Sequence, residues 1–507
     1  MSFQSLYCAA FDGLSAKEVE VEVSFTKALP SFQVTGLAGN AIQESKQRVQ
    51  SALMANDFKF PPLKITINLS PSDLPKQGSF YDLPIALLVA MYGRNNIKDS
   101  INNEKPKKYF AFGELGLDGR IKDTKAIYPL IFSLLSDEKN LDSIFFLPME
   151  SKDFYCQIPN LKAYFVDTLS EAIEILQTSP TIVNIIQELP FSYMDICSER
   201  YYYSDNFELD FIDIVGQIRA KRAALIAACG FHNILFEGSA GSGKSMIATR
   251  MPYILPPLRR NEILHNASHN LIITPNRPFR NPHNSATKAA ILGSAVGHSV
   301  KFGEISLAHN GVLFFDELPH FPKSILESLR EPLENHYFVI SRLCTKVKTP
   351  SDFMFIGAMN PCPCGNLLSI SKECRCSKRE IDSYRGKISE PIWDRIDLCV
   401  QMQEGDSNKD RISSKEIQKQ ILDAFKFQKN RGQKCYNSRL IGESLEEFCK
   451  LDDECISVLD KAIARFGISL RQKNKILKVA RTIADLAGSD NIHKEHLAES
   501  ISYRKIS

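Results

Sequence analysis

Asn233-Ile234-Leu235-Phe236-Glu237-Gly238-Ser239-Ala240-Gly241-Ser242-Gly243-Lys244-Ser245 runs from an apolar strand through a glycine-rich turn into Lys-Ser and the helical start Met246-Ile247-Ala248. Gly238, Gly243, Lys244 and Ser245 complete G-x-x-x-x-G-K-S. Glycines let backbone N–H groups converge on phosphate oxygens, and the following helix adds the positive end of its dipole. Lys244 can reach the β- and γ-phosphates, and the Ser245 hydroxyl can bind Mg²⁺. The stretch therefore predicts ATP binding through Gly238, Ser239, Ala240, Gly241, Ser242, Gly243, Lys244 and Ser245.

Two more strands fit the same sheet. Gly311-Val312-Leu313-Phe314-Phe315 ends in Asp316-Glu317, and Phe353-Met354-Phe355-Ile356-Gly357-Ala358-Met359 ends in Asn360. Apolar runs ending in polar residues put those residues at the carboxyl edge of a parallel sheet, where ligands sit. Asp316 is expected in the Mg²⁺ shell, and Glu317 is expected to polarise the attacking water. Asn360 either holds that water or simply forms a turn before Pro361.

Outward from this core, the first 175 residues read as a separate α/β domain. Val19, Val21 and Val23 alternate with Glu18, Glu20 and Glu22, the pattern of a half-buried strand. Further strands are expected at 64–69, 109–112, 144–148 and 163–166. Helices are expected at 41–54 and 82–91, and a hairpin at 113–120. Residues 176–208 show no dominant period and read as a linker, with Tyr201 to Tyr203 docking on a neighbouring domain. The ATPase core spans 209–405. Beyond it strand signals stop, and 406–507 reads as a helical lid with helices at 414–428, 444–450, 452–466, 470–486 and 493–502.

Composition narrows the class. A chain of 507 residues suits about three to four domains. The net charge of +3 points to no partner class, so local charge must carry that argument. No apolar run approaches the roughly 18 residues of a membrane span, and the start lacks a signal-peptide layout. A cytoplasmic protein with no membrane partner is expected, its 13 cysteines reduced or metal-bound rather than in disulfides.

Three features stay open on the residues alone. Trp393-Asp394-Arg395-Ile396-Asp397 offers either an arginine finger for a neighbouring subunit or a local ion pair. Lys461 to Arg481 holds seven basic residues and no acid, either solvated surface or a nucleotide or nucleic-acid contact, with Arg471 the best placed. Cys362-Pro363-Cys364 and Cys374-Arg375-Cys376 are either four ligands of a structural Zn²⁺ or free thiols. His283, His298 and His309 fit no ligand spacing.

Taken together, these motifs resemble the magnesium-chelatase-like AAA+ ATPases, most closely the ComM (YifB) branch of bacterial competence proteins. The likeness covers nearly the whole chain. It is carried by Arg277-Pro-Phe-Arg, Gly303-Glu-Ile-Ser-Leu-Ala-His-Asn-Gly, Ala358-Met-Asn-Pro-Cys-Pro-Cys-Gly, Asp394-Arg-Ile-Asp-Leu, Ile476-Leu-Lys-Val-Ala-Arg and Asn68-Leu-Ser-Pro-Ser-Asp-Leu-Pro. The resemblance implies a Lon-protease/ribosomal-S5-like first domain, an AAA+ parallel-sheet core and a helical lid. It implies a ring-shaped homo-oligomer, a hexamer, with Asn360 as sensor 1, Arg395 as the trans-acting finger and Arg471 as the sensor-2 arginine. It also implies a DNA partner, single-stranded or branched, and ATP-driven branch migration during natural transformation. A hairpin insertion is expected near Tyr337 to Lys348, its basic residues gripping phosphates without reading sequence. A metal-chelatase motor and a protein-remodelling ATPase are the alternatives. In the first domain Phe80 falls where a Lon-type serine nucleophile would sit, with Ser79 one position off, which speaks against peptidase activity. The chain departs from the family pattern at Asn284, at Gly293-Ser294-Ala295 and at Ser389-Glu390-Pro391.

Overall fold

The computed structural model describes the chain except residues 1–4, 13–14, 93–107, 157, 159–160, 179–188, 297–298, 343–344, 370, 403–410 and 505–507. It divides into two compact units, Met1–Pro190 with Asn261–Ile273, and Phe191–Arg260 with Thr274–Ser507.

The first unit is built on a seven-stranded mixed sheet. Its strands are β1 (Ser5–Asp12), β2 (Ser15–Thr26), β3 (Ser31–Thr35), β4 (Lys64–Ser70), β5 (Tyr109–Ala111), β6 (Ile144–Pro148) and β7 (Lys162–Val166), in the order β3-β4-β2-β1-β5-β6-β7. The alternation of β2 behaves as its sequence dictates: Val19, Val21 and Val23 are buried while the intervening glutamates reach the surface. Helix α1 (Ser45–Ala55) sends Val49, Ala52 and Leu53 into the core. Helix α2 (Asp82–Ala90) is buried along its whole length, including Asp82. Burial pushes the Asp82 carboxyl up to about 6 even though the Arg48 guanidinium lies 2.6 Å away. The segment Asn261–Ile273 returns to this unit, where Leu264 and Ala267 are fully buried in the core. Sequence position alone does not reveal that return.

The second unit carries a five-stranded, all-parallel sheet. Strands β8 (Ile234–Gly238), β9 (Phe279–Arg280), β10 (Val312–Phe315), β11 (Met354–Met359) and β12 (Leu398–Met402) lie in the order β9-β10-β11-β8-β12. Strands β10 and β11 are buried at every position, as near-continuous apolar runs require in a parallel sheet covered on both faces. Helices α3 (Ile218–Gly230) and α4 (Lys244–Ile254) flank β8.

The helical region belongs to this second unit. It comprises α7 (Ser414–Asn430), α8 (Asp453–Phe466), α9 (Leu470–Leu486) and α10 (Lys494–Ser502), after the earlier α5 (Arg330–Asn335) and α6 (Lys378–Arg385). Helix α9 joins two cores. Val479 and Ile483 pack with the sheet, whereas Ile476, Leu477, Ala480 and Ala484 pack within the lid. Boxes of Ser413 with Glu416 and Ser469 with Gln472 cap α7 and α9 and satisfy their first N–H groups.

The stretch 176–208 contains an antiparallel hairpin, Ser192–Ile196 with Glu199–Tyr203. Tyr201 packs edge-on against Phe425 of α7, ring centroids 5.1 Å apart.

Candidate functional site

The glycine-rich turn is shaped for close approach. Gly243 caps α4 at φ +93°, where a side chain would be strained. A Cβ on Gly238 would sit 2.7 Å from Ser242 Oγ and 3.0 Å from Met402 Cβ, so only glycine fits. Lys244 is buried, and its ammonium donates to the Gly238 and Ser239 carbonyls at 2.7 Å and to Asn360 Oδ1 at 3.2 Å. Burial draws that ammonium below its ordinary pKa, against the pull of Asp316 and Glu317. The Ser239 and Ser242 hydroxyls are buried in the same loop with no hydrogen-bond partner among the described residues. Buried donors without partners fit a ligand rich in acceptor oxygens, such as a nucleotide polyphosphate.

Strand β10 delivers the acids. The Ser245 hydroxyl donates to Asp316 Oδ2 at 2.9 Å, pairing the two side chains expected to hold Mg²⁺. Glu317 adopts φ +51°, and its backbone N–H donates to Asp316 Oδ1 at 2.9 Å. Its carboxylate faces the Asn284 amide at 3.4 Å and the His320 ring at 3.3 Å. Lys244, Ser245, Asp316, Glu317 and Asn360 thus converge at the carboxyl edge of one sheet.

Arg395 and Arg471 meet each other. Both guanidiniums pair with Glu334 of α5. Burial raises the Glu334 carboxyl, and Arg471 and Arg395 more than offset that, leaving it below its ordinary value. Arg395 also donates to the carbonyls of Pro391, at 2.5 Å, and Arg330, at 3.1 Å. Its own carbonyl accepts from the Asn233 side chain at 2.8 Å, which ties the arginine's backbone to the foot of β8. The acids nearest to Arg395 in sequence, and so the candidates for a local ion pair, are Asp394 and Asp397. Its partner is instead Glu334, which lies 61 residues away and offers no short-range signal.

The four cysteines converge. Their sulfurs lie within 4.8 Å of one another, with Cys362 to Cys364 at 3.4 Å, Cys362 to Cys374 at 3.6 Å and Cys364 to Cys374 at 3.7 Å. Backbone N–H groups of Asn366 and Arg375 lower the Cys364 thiol to about 6. These spacings exceed the roughly 2.05 Å of a disulfide and match the sulfur separations of a tetrahedral four-thiolate site.

The basic run of α9 is largely spent inside the protein. Lys475 donates to the Ile396 carbonyl at 2.8 Å and Lys478 to the Ser438 carbonyl at 3.0 Å. Arg481 is buried against Asp485. These three anchor the lid, while Lys461, Arg465 and Arg471 stay exposed. Of the three histidines singled out above, His283 contacts Ser285, His309 accepts from the Asp352 N–H, and His298 lies outside the described residues. The insertion near 337–348 is a hairpin, Tyr337–Arg342 with Thr345–Pro350, and the Lys348 ammonium sits 3.7 Å from the centre of the Tyr337 ring. A second hairpin, Gly293–Val296 with Ser299–Phe302, brings Gly293 against Ile340. In the first unit, Lys76 is buried with its ammonium on the Leu69 and Pro71 carbonyls, and the Ser79 hydroxyl is on Glu114. Those partners leave Lys76 and Ser79 unjoined as a dyad.

A parallel sheet with this loop, this acid pair and this lid defines a magnesium-chelatase-like AAA+ protein. Family models agree: magnesium chelatase, subunit ChlI, matches residues 210–410; subunit ChlI of Mg-chelatase matches 21–151; and the ChlI C-terminal model matches 411–504. The chain is 35% identical to the competence protein ComM of Haemophilus influenzae, over 99% of this chain and 98% of that one. It is 33% identical to the uncharacterised protein YifB of Escherichia coli, over 100% and 98%. It is 29% identical to a magnesium-chelatase 67 kDa subunit of Chlorobaculum parvum, over only 30% and 23%. The chain belongs to the ComM/YifB family. No helix among the described residues is long and apolar enough to cross a membrane.

Proposed function

We propose that this protein is an ATP-driven DNA motor that works as a homo-oligomeric ring, a hexamer, and migrates branched DNA during natural transformation. The observation that carries the ATPase half is the convergence of Lys244, Ser245, Asp316, Glu317 and Asn360 on one sheet edge. The DNA half is supported by likeness along the full chain to a competence protein. Chelatase family models match most of the chain, but sequence identity to the chelatase 67 kDa subunit covers only 30% of it while identity to the competence protein runs along 99%, which favours the DNA reading over a chelatase motor.

Each residue then has a role. Lys244 exchanges its two loop carbonyls for phosphate oxygens. Ser245 and Asp316 hold Mg²⁺, which neutralises phosphate charge when bound. Glu317 orients and polarises the attacking water, and Asn360 holds the γ-phosphate side of it. Arg395 and Arg471, joined through Glu334, act together on the nucleotide of an adjacent subunit. Their shared carboxylate partner supports a joint role better than separate ones. The Tyr337–Pro350 hairpin contacts the DNA backbone, and the four cysteines hold a structural zinc.

ATP turnover measured with and without single-stranded or branched DNA, over a salt series, tests this reading. Stimulation by DNA that weakens as salt rises is expected. An unchanged rate together with salt-independent binding would sink the DNA half.

A further inference from the structure

Both ends of the cysteine loop lead back to Asn360. Cys362 stands two residues after it and is fully buried. The Gly365 N–H closes a turn on the Cys362 carbonyl at 3.0 Å, and at φ +79° that turn lies beside the Asn360 side chain, 4.0 Å from where a Cβ would be. At the other end, Ser377 follows Cys376 and forms a capping box with Glu380, so α6 starts where the cysteines stop. Helix α6 then carries buried Tyr384 into the same hydrophobic cluster as Met359, the residue before Asn360, and burial pushes that phenol up to about 12. The next residue, Arg385, binds Glu237 at 2.7 Å, on the strand that feeds the phosphate loop. The chain from Asn360 to Tyr384 is therefore a closed circuit with the four sulfurs at its crossing point.

Without a staple, such a circuit would be loose. Gly365, Asn366, Lys372, Glu373 and Lys378 make the loop polar, and the hydrophobic cluster beside it takes in Tyr384 and Met359 but none of the described residues between 360 and 383. Zn–S bonds of about 2.3 Å at tetrahedral angles separate sulfurs by about 3.8 Å, close to the distances found here.

We propose that Cys362, Cys364, Cys374 and Cys376 bind one Zn²⁺, and that this metal is a positioning device that holds Asn360 against Lys244. The inference rests on the role proposed above for Asn360. Zinc enters as the hydrated dication, and the thiols release their protons to solvent as they bind.

The full chain, purified without chelator, should carry about one zinc per protomer by elemental analysis. A value near zero, or iron in its place, overturns the metal assignment. Cys374→Ser with Cys376→Ser should abolish zinc and keep the affinity for ATP. It should lower turnover by about 10- to 100-fold, the range for lost positioning partners. The same pair of substitutions placed on Asn360→Ala should cost nothing further. An added loss on that background, or an unchanged rate in the zinc-free protein, overturns the positioning role. Loss of ATP binding along with zinc would mean the metal staples the fold instead. Normal turnover in Asn360→Ala alone would remove the role of Asn360, while the zinc content would still stand or fall on the elemental analysis.

Discussion

The molecule carries two cationic clusters, and they are held in opposite ways. Lys244 rests on two backbone carbonyls and one amide oxygen, neutral acceptors that a polyphosphate displaces easily. Arg395 and Arg471 rest on a full carboxylate, Glu334. Both sets are charge-assisted, but only the arginines face an opposite full charge, whose Coulomb attraction a neutral carbonyl lacks. The phosphate loop is thus poised for nucleotide in the single chain, whereas the arginine pair waits with its charge already answered. The contrast fits a composite site, one half preset and the other exposed to a phosphate only on assembly.

Removing the arginine half should do most. Arg395→Ala is expected to cost turnover about 10³- to 10⁵-fold, the worth of a phosphate-directed arginine, with ATP affinity little changed. A fall in affinity of the same size would place Arg395 in ground-state binding instead, and fluorescent-nucleotide titration separates the two. Glu317→Gln comes next: loss of the base should lower turnover about 10²- to 10⁴-fold while ATP stays bound. Single-turnover chemistry at the wild-type rate would contradict the role of Glu317. Asn284→Ala removes a 3.4 Å contact to Glu317 and should cost less than either, visible as lower turnover at unchanged ATP affinity. Glu334→Gln should have the smallest effect. Glu334 and Arg471 are each about 40% exposed, so solvent screens their pair. Freeing the arginines should shift the protein concentration for half-maximal ATPase only about two- to fivefold, and downward. An upward shift would show that Glu334 props the arginines rather than masking them.

What could be read in the sequence follows the range of the interactions. The phosphate loop, Asp316-Glu317 and the helices of the lid were legible because period and spacing encode them locally; the predicted 470–486 and the observed Leu470–Leu486 coincide. The Lys461–Arg481 run stayed open because a basic face looks alike whether it meets water or carbonyls; Lys475 and Lys478 meet carbonyls, whereas Lys461, Arg465 and Arg471 are exposed. Glu334 was invisible, because it acts on residues far along the chain and sits in a stretch with no motif. The return of Leu264 and Ala267 to the first unit was hidden for the same reason: periodicity shows which face of a helix is apolar but not which core receives it.

Mixing two inactive variants tests the composite site most directly. Lys244→Ala lacks the phosphate half, and Arg395→Ala lacks the arginine half. Each alone should be silent in ATP hydrolysis. In mixed rings some interfaces join an intact phosphate loop to an intact arginine pair, so turnover should reappear and pass through a maximum as the ratio is varied. Silence at every ratio, with native mass spectrometry showing that mixed rings form, would contradict a site shared between neighbours.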